Sequence, residues 1–498
     1  MAFKDLREWI AKLESERELY RIKAKVDWDL EIGGIVQKVF DEKGPALLFE
    51  NIKDHEKTLC KKLFTASLST NSRVALMMGL PRNTPYRKLI EIHRERIRKP
   101  LKAILVKTGR VKENIVTEKD VNLFEFPAPK WHDLDGGRFL GTFDGVVTKD
   151  PETGWINVGL YRRQIHDKKT LGVPIGQGQH IWMHFTKYRK KGIPMPIAVV
   201  NGWDPVLPAT ACAQVPPGVD EYDVMGSLRQ EPVELVKCET NDLLVPANAE
   251  IVFEGEVPTD LSTMRMEGPF GEYTGYYGSE AGLKPIINVR CITHRSDPIL
   301  QGTLEGVPIG EDQRIESINS SSNLWNHLEG YMVGVTGVNV DPSTGWANVF
   351  VQVDNRYIGQ PFQVASHIWG YASPYAGKNI MVVDTDIDIY DLNKIAWAFA
   401  YRVDPKKDLH IFPGWGSPTD PVIHPKDRYT HTWIKLNRLL IDATKPIHEN
   451  PPSEKWHNQK FAPIAYPDAE TMKKVNERWD ELGLASFMDD YKKGTIAE

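Results

Sequence analysis

Cysteine is scarce: 498 residues contain four, Cys60, Cys212, Cys238 and Cys291, far apart and with no CxxC spacing. That excludes a disulfide framework and a thiolate-held metal site, and leaves four buried or idle thiols. Long apolar runs are missing too; none approaches the ~20 residues that cross a bilayer. The opening MAFKDLREWI is charged from residue 4 and lacks the apolar core of a signal peptide. Charge of one sign is also lacking. Lys and Arg number 62 against 67 Asp and Glu, a net −5 with both signs interspersed. No electrostatic footprint for nucleic acid results, and no basic amphipathic helix suggests a membrane surface. The expectation is a cytoplasmic enzyme.

What is present is ordinary for a globular chain, 41% hydrophobic and 26% charged. Its length suits two or three packed domains. Phe3, Leu6, Trp9, Ile10 and Leu13 recur at helical spacing and predict an opening amphipathic helix. Residues 14–105 then read as a small α/β domain. Phe126-Pro127-Ala128-Pro129 and Asp135-Gly136-Gly137 interrupt regular structure and suggest a boundary. From about 138 to 305 short strands dominate, such as Ile197–Val200 and Glu250–Glu254, separated by turn residues as in a barrel or sandwich. Helical signal returns after 310, and Asn379–Asp384 predicts a buried strand of an α/β domain. Asp468 is placed as the N-cap of a final helix with Met472, Val475, Trp479 and Leu482 on one face.

One turn occurs twice. Asp150-Pro-Glu-Thr-Gly-Trp155-Ile-Asn157-Val158 recurs as Asp341-Pro-Ser-Thr-Gly-Trp346-Ala-Asn348-Val349. Two hairpins can converge on such turn chemistry, Gly supplying the permissive backbone. The copies then diverge: five residues past Asn157 stands Arg162, and five past Asn348 stands Val353.

Two sets of residues could carry chemistry. In Glu267-Gly268-Pro269-Phe270-Gly271-Glu272 a rigid turn separates two carboxylates, which can then face one site. In an apolar, aromatic setting such a pair can be driven to different pKa values, giving an acid and a base at one pH. A solvated surface turn fits the same letters. The second set is Asn157, Arg162, His180 and Glu221. Its mixed oxygen and nitrogen donors suit Mn²⁺ or Mg²⁺, and Arg162 can grip a carboxylate through a two-pronged pair. Taken singly, each is as easily structural; His180 lies near Trp182 and Phe185 like a packed core histidine.

Two lookalikes weaken on inspection. His180-Ile-Trp-Met-His184 has zinc-protease spacing, but Ile181 stands where the general-base Glu belongs. Asp384-Thr-Asp386-Ile-Asp388-Ile389 opens like a calcium loop, but Ile389 and Ile395 replace the required Gly and Glu.

In their order along the chain these segments resemble UbiD-family decarboxylases. Those that carry the likeness are Trp155–Arg162, Gln179-His180-Ile-Trp182, Glu221 with Gly226-Ser-Leu228, Pro232–Cys238, Glu267–Glu272 and Leu439–Pro446. The resemblance spans nearly the whole chain. It implies prenylated FMN, supplied by a flavin prenyltransferase and held through its phosphate by Mn²⁺ (or Mg²⁺) and a neighbouring K⁺. The implied metal ligands are Asn157, His180 and Glu221. Implied cofactor-lining residues are Asn157, Val158, Gly159, Leu160, Tyr161, Arg162, Gln179, His180 and Glu221, with Lys378 as a further contact. Arg162, Glu267 and Glu272 would form the family's Glu–Arg–Glu network; some relatives have Asp at the last position.

The implied layout is an N-terminal α/β domain (1–112), a central split β-barrel resembling flavin reductases (113–310), a C-terminal α/β oligomerisation domain (311–450) and a helical extension (451–498). A homodimer or homohexamer is expected. The implied reaction is reversible, non-oxidative decarboxylation of an aromatic or heteroaromatic acid. Its reverse, carboxylation of an aromatic ring, a zinc hydrolase built on His180 and His184, and a non-catalytic cofactor-binding or assembly subunit are the alternatives. Segments 305–330 and 412–440, with Arg314, Trp325, His327, Phe412 and Trp415, are the implied pocket walls.

Overall fold

The computed structural model describes residues 2–278, 280–371, 376–423, 436–484 and 487–488. The chain divides into two units, Met1–Thr444 and Lys445–Glu498. The opening helix, Leu6–Ser15, forms as its pattern predicts: Leu6, Trp9, Ile10 and Leu13 are buried, and the Asp5 carboxylate caps it by accepting from the Glu8 amide. No helix among the described residues is long and apolar enough to cross a membrane.

The large unit is multidomain α/β, built on three main sheets. The first joins Leu19–Ile22, Ala46–Phe49, Lys62–Thr65 and Ile299–Gln301, so a late strand returns to complete an early sheet. The third has the order Val335–Val340, Asn348–Val353, Asn379–Asp384, Arg438–Ala443, Leu409–Phe412, with a parallel centre as the buried Asn379–Asp384 run predicts.

Between them lies a nine-stranded sheet. Its path runs Phe139–Gly141, Arg163–Asp167, Thr170–Gly172, Ile286–His294, Ile251–Val257, Met195–Asn201, Gly145–Lys149, Ile156–Gly159, with Asn114–Thr117 added on Ile286–His294. Ile156–Gly159 and Arg163–Asp167 are consecutive in sequence yet six strand steps apart along this path. In a flat sheet six steps of about 4.8 Å would separate them by ~29 Å. The linker Leu160-Tyr161-Arg162 reaches at most about 15 Å. The sheet therefore curls until its two ends approach, with no ladder joining them among the described residues. Arg162 lies in that gap.

The Phe126–Pro129 segment is irregular, as its prolines predict, and buried. Phe126 and Ala128 are fully buried, and Arg138 donates to the carbonyls of both. The helix Glu311–Tyr331 is tied to the first sheet by Glu311, whose carboxylate accepts from the Ala66 and Leu68 amides and the Ser67 hydroxyl. Glu311→Ala strands two buried amides, and a loss of about 2–4 kcal/mol is expected. Urea unfolding measures it; an unchanged midpoint would refute the assignment.

In the small unit, Asp468 caps Ala469–Glu477 as expected, accepting from the Thr471 amide at 2.7 Å. The helix stops at Glu477, so Trp479 and Leu482 fall beyond it and are exposed, and no residue of the helix is buried. The stripe predicted through Leu482 is thus shorter than its spacing suggests. Residues 485–486 and 489–498 lie outside the described residues.

Candidate active site

Arg162 is the hub. Its Nε and Nη2 donate to the two carboxylate oxygens of Glu267 at 2.8 and 3.0 Å, and its Nη1 donates to Glu272. The Phe270 ring, on the turn between the two glutamates, lies 5.1 Å from the guanidinium carbon. All three charged side chains are nearly or fully buried. Burial pushes the guanidinium toward its neutral form, but Glu272 and Glu267 outweigh it and hold its pKa above the usual arginine value. Glu272 moves the other way from an ordinary carboxylate: burial raises it, against the pull of Arg162. An arginine has five N–H donors. Three are engaged here, which leaves two for an incoming carboxylate.

The turn that carries the glutamates is braced by the segment that reads as punctuation in the sequence. Gly136 N donates to Pro269 O at 2.9 Å, and the Asp135 carboxylate accepts from Gly271 N at 3.1 Å. Gln164 bridges the two segments, accepting from Gly268 N and donating to Gly136 O, both at 2.8 Å. A Cβ on Gly136 would sit 2.0 Å from the Gly268 carbonyl oxygen. Asp135-Gly136-Gly137 is thus built for close approach. Sequence reasoning missed these residues because a Gly-Gly pair signals a turn, not what the turn touches.

The second set gathers nearby. Asn157 is buried on Ile156–Gly159, and the next residue's amide, Val158 N, donates to Glu221 Oε2 at 3.0 Å. His180 Nδ1 lies 3.7 Å from Glu221 Oε1. That separation is long for a hydrogen bond and close to the spacing of two ligands on one ion. His180 opens the helix His180–Lys191, and Glu221 opens Glu221–Arg229. Two helix N-termini bring positive dipole ends to one place, which favours a phosphate, although Asp220 already caps the second, its carboxylate accepting from Tyr222 N at 2.9 Å. Burial raises the Glu221 pKa despite His180, so an ionised Glu221 is suited by a cation. The donors present thus fit a divalent ion bridging to a phosphate. Among the described residues no three of His, Cys, Asp and Glu form a metal cluster; this set depends on Asn157.

Other expected residues are dispersed. Gln179 accepts from Gly176 N at 2.8 Å and precedes the His180 helix. Leu160 N donates to Ala211 O, and Tyr161 is buried beside Gly159. Lys378 pairs with Asp420 at 2.8 Å and touches neither set directly. Arg314 lies over the Tyr86 ring, Trp325 lies under Arg94, and His327 stacks on Tyr371. Phe412 packs on Trp369, and Trp415 lies under Arg438. Part of the expected wall 412–440, residues 424–435, lies outside the described residues.

Both lookalikes are occupied structurally. His184 Nδ1 pairs with Thr148 Oγ1 at 2.9 Å, and burial lowers its pKa to about 4. Arg402 binds Asp384 and Asp386. The four cysteines are unpaired, and burial pushes the Cys60 and Cys291 thiols up to about 12.

Comparison with known proteins places this architecture. Three 3-octaprenyl-4-hydroxybenzoate carboxy-lyase models match in order: the N-terminal domain at residues 10–92, the Rift-related domain at 103–308 and the C-terminal domain at 315–443. The chain belongs to the UbiD family. Among UbiD relatives, the pyrrole-2-carboxylic acid decarboxylase of Pseudomonas aeruginosa is 31% identical, the alignment covering 96% of this chain and 98% of that one. The phenolic acid decarboxylase of Sedimentibacter hydroxybenzoicus is 32% identical over 90% and 93% of the two chains. The closed form of the Sedimentibacter hydroxybenzoicus vanillic acid decarboxylase superposes with a TM-score of 0.85 at 31% identity, covering 97% and 99%. An evolved dimeric form of the UbiD-class enzyme HmfF from Pelotomaculum thermopropionicum, in complex with prFMN, superposes with a TM-score of 0.79 at 27% identity, covering 94% and 98%. This UbiD chain is therefore a carboxy-lyase by family, and the Arg162 hub sits within the region matched by the Rift-related model.

Proposed function

We propose that this chain decarboxylates an aromatic or heteroaromatic carboxylic acid, reversibly, with prenylated FMN. Arg162, Glu267 and Glu272 are its catalytic residues in this reading. The observation that carries it is one buried guanidinium shared by two glutamates on a single braced turn, in a chain of the UbiD family. Phenolic and pyrrole carboxylic acids are the first substrates to test, since relatives at 31–32% identity are named for such acids.

Loss of CO₂ from an unsaturated carbon leaves an electron pair that no side chain can accept, and the bound cofactor supplies that sink. The chain's own residues do the rest. Arg162 turns its two free N–H donors to the substrate carboxylate and fixes its direction. Glu267 holds the guanidinium plane through two hydrogen bonds. Glu272, whose pKa burial raises against the pull of Arg162, delivers a proton to the carbon from which CO₂ departed, as a general acid. Asn157, His180 and Glu221 would hold Mn²⁺ (or Mg²⁺), which with K⁺ would supply positive charge for the cofactor phosphate. Val158 to Arg162, Gln179 and Lys378 would line the cofactor. At high bicarbonate the same groups serve carboxylation.

The curled nine-stranded sheet supports a split barrel at 113–310, flanked by an N-terminal domain at 1–112, a C-terminal one at 311–450 and an extension at 451–498. Four unpaired cysteines suit the cytoplasm. A homodimer or homohexamer, supplied with cofactor by a flavin prenyltransferase, completes the reading.

The test is protein co-expressed with a flavin prenyltransferase, examined by visible spectrum, elemental analysis and a panel of aromatic acids. A modified flavin, about one manganese per chain and CO₂ release are expected. Glu221→Gln is expected to lose the metal and most of the flavin. Colourless protein that holds zinc and releases no CO₂ would overturn the proposal.

A further inference from the structure

The repeated turn has a place beside the site in both copies. In the first, Trp155 packs edge-on against His180 with ring centroids 4.8 Å apart, and its Nε1 donates to Val219 O at 2.8 Å. The second copy, nearly two hundred residues later, reaches the other half of the site. Trp346 stacks face to face on Tyr273, the residue after Glu272, with centroids 4.3 Å apart and 19° between the planes. Its Nε1 donates to Gln313 O at 3.3 Å. Trp346 has φ +68°, the left-handed region that bulky residues rarely take. Such a conformation persists where the surroundings impose it.

Tyr273 is held at two further points. Its carbonyl accepts from Gln313 Nε2 at 3.0 Å. Its hydroxyl donates to Ser417 Oγ at 2.9 Å and accepts from Thr419 Oγ1 at 3.0 Å, and those two hydroxyls lie 2.6 Å apart. The side chain is buried. A residue clamped at ring, carbonyl and hydroxyl cannot rotate, and it fixes the peptide from which the Glu272 side chain leaves.

We propose that Tyr273 is a positioning residue for Glu272, with Trp346, Ser417 and Thr419 as its clamp. It rests on Glu272 as the proton donor of the decarboxylation proposed above. Two segments outside the Rift-related match, 341–349 and 417–419, thereby set the aim of a group inside it. Tyr273 touches no reacting atom; it acts through its neighbour.

The experiment uses full-length holoenzyme and an aromatic acid that the wild type turns over. Tyr273→Phe keeps the stacked ring and removes only the hydroxyl. Its kcat is expected to fall about tenfold, the effect of losing one ordinary hydrogen bond. KM is expected to stay within about twofold, and the cofactor spectrum and unfolding temperature to stay unchanged. The alkaline limb of the kcat profile is expected to move to lower pH, because a loosened Glu272 regains water and loses part of the burial that raises its pKa. Thr419→Val is expected to reproduce this, and Thr419→Ser to restore wild-type behaviour. Wild-type kcat and pH limb in both Tyr273→Phe and Thr419→Val would overturn the proposal. So would a kcat loss matched by loss of flavin and of stability, which marks mere structure. A wild type that releases CO₂ from no acid in the panel overturns the decarboxylase reading itself; active wild type with indifferent variants overturns this one alone.

Discussion

Glu272→Gln is expected to lower kcat by about 10²–10⁴-fold, the range of a lost general acid, while leaving the flavin spectrum and metal content intact. Gln matches the shape of Glu and can still bond Arg162, but it has no proton to give. The pH dependence follows from the same burial. Glu272 is held above the usual carboxyl range despite Arg162, so the donor form persists to higher pH than on an exposed glutamate. Wild-type kcat should therefore fall as pH rises through that raised pKa. The folded chain also binds this proton more tightly than the unfolded one, so stability is highest below the unfolded value and declines through the same window. The substitution removes that decline. A Glu272→Gln enzyme with wild-type kcat and an unchanged alkaline limb would take Glu272 out of the mechanism.

Arg162→Ala is expected to fail twice. It removes the guanidinium bonded to both glutamates, so kcat/KM falls by about 10³-fold or more through loss of a positioned two-pronged anchor. It also leaves Glu267, fully buried, and Glu272, nearly so, without the ion-pair partner they share. Breaking a buried pair in this way costs about 3–5 kcal/mol. The sign with pH is fixed: without the pull of Arg162, Glu272 holds its proton to still higher pH, so the deficit is larger at pH 8 than at pH 5. Urea unfolding at those two pH values measures it. Adding Glu267→Gln should recover part of the loss without restoring turnover. Equal stability of Arg162→Ala and wild type at pH 8 would contradict this account of the hub.

The opening helix, the strand Asn379–Asp384 and the strand-rich centre were legible because burial periodicity is local, written within a few residues of itself. The final helix was overextended for the complementary reason. Trp479 and Leu482 continue the period, but the helix ends at Glu477, and periodicity predicts a face without predicting where packing stops. The Pro-rich segment at 126–129 is irregular as read, but its burial was not legible. Proline and glycine report backbone constraint, and here the constrained backbone is buried beneath Arg138.

By itself the sequence determined which chemistry is available. Its few scattered cysteines, balanced charge and lack of spanning segments removed whole classes, and the ordered segments from Trp155 to Glu272 carried the family likeness, since side-chain chemistry and spacing survive in one dimension. Only the tertiary structure decided what meets what. It curled a sheet until its ends approach around Arg162, brought Glu267 and Glu272 to the same guanidinium across about a hundred residues, and gave Asp135, Gln164, Trp346 and Thr419 their places around that turn. Those contacts are set by packing between distant segments, and no local pattern encodes them.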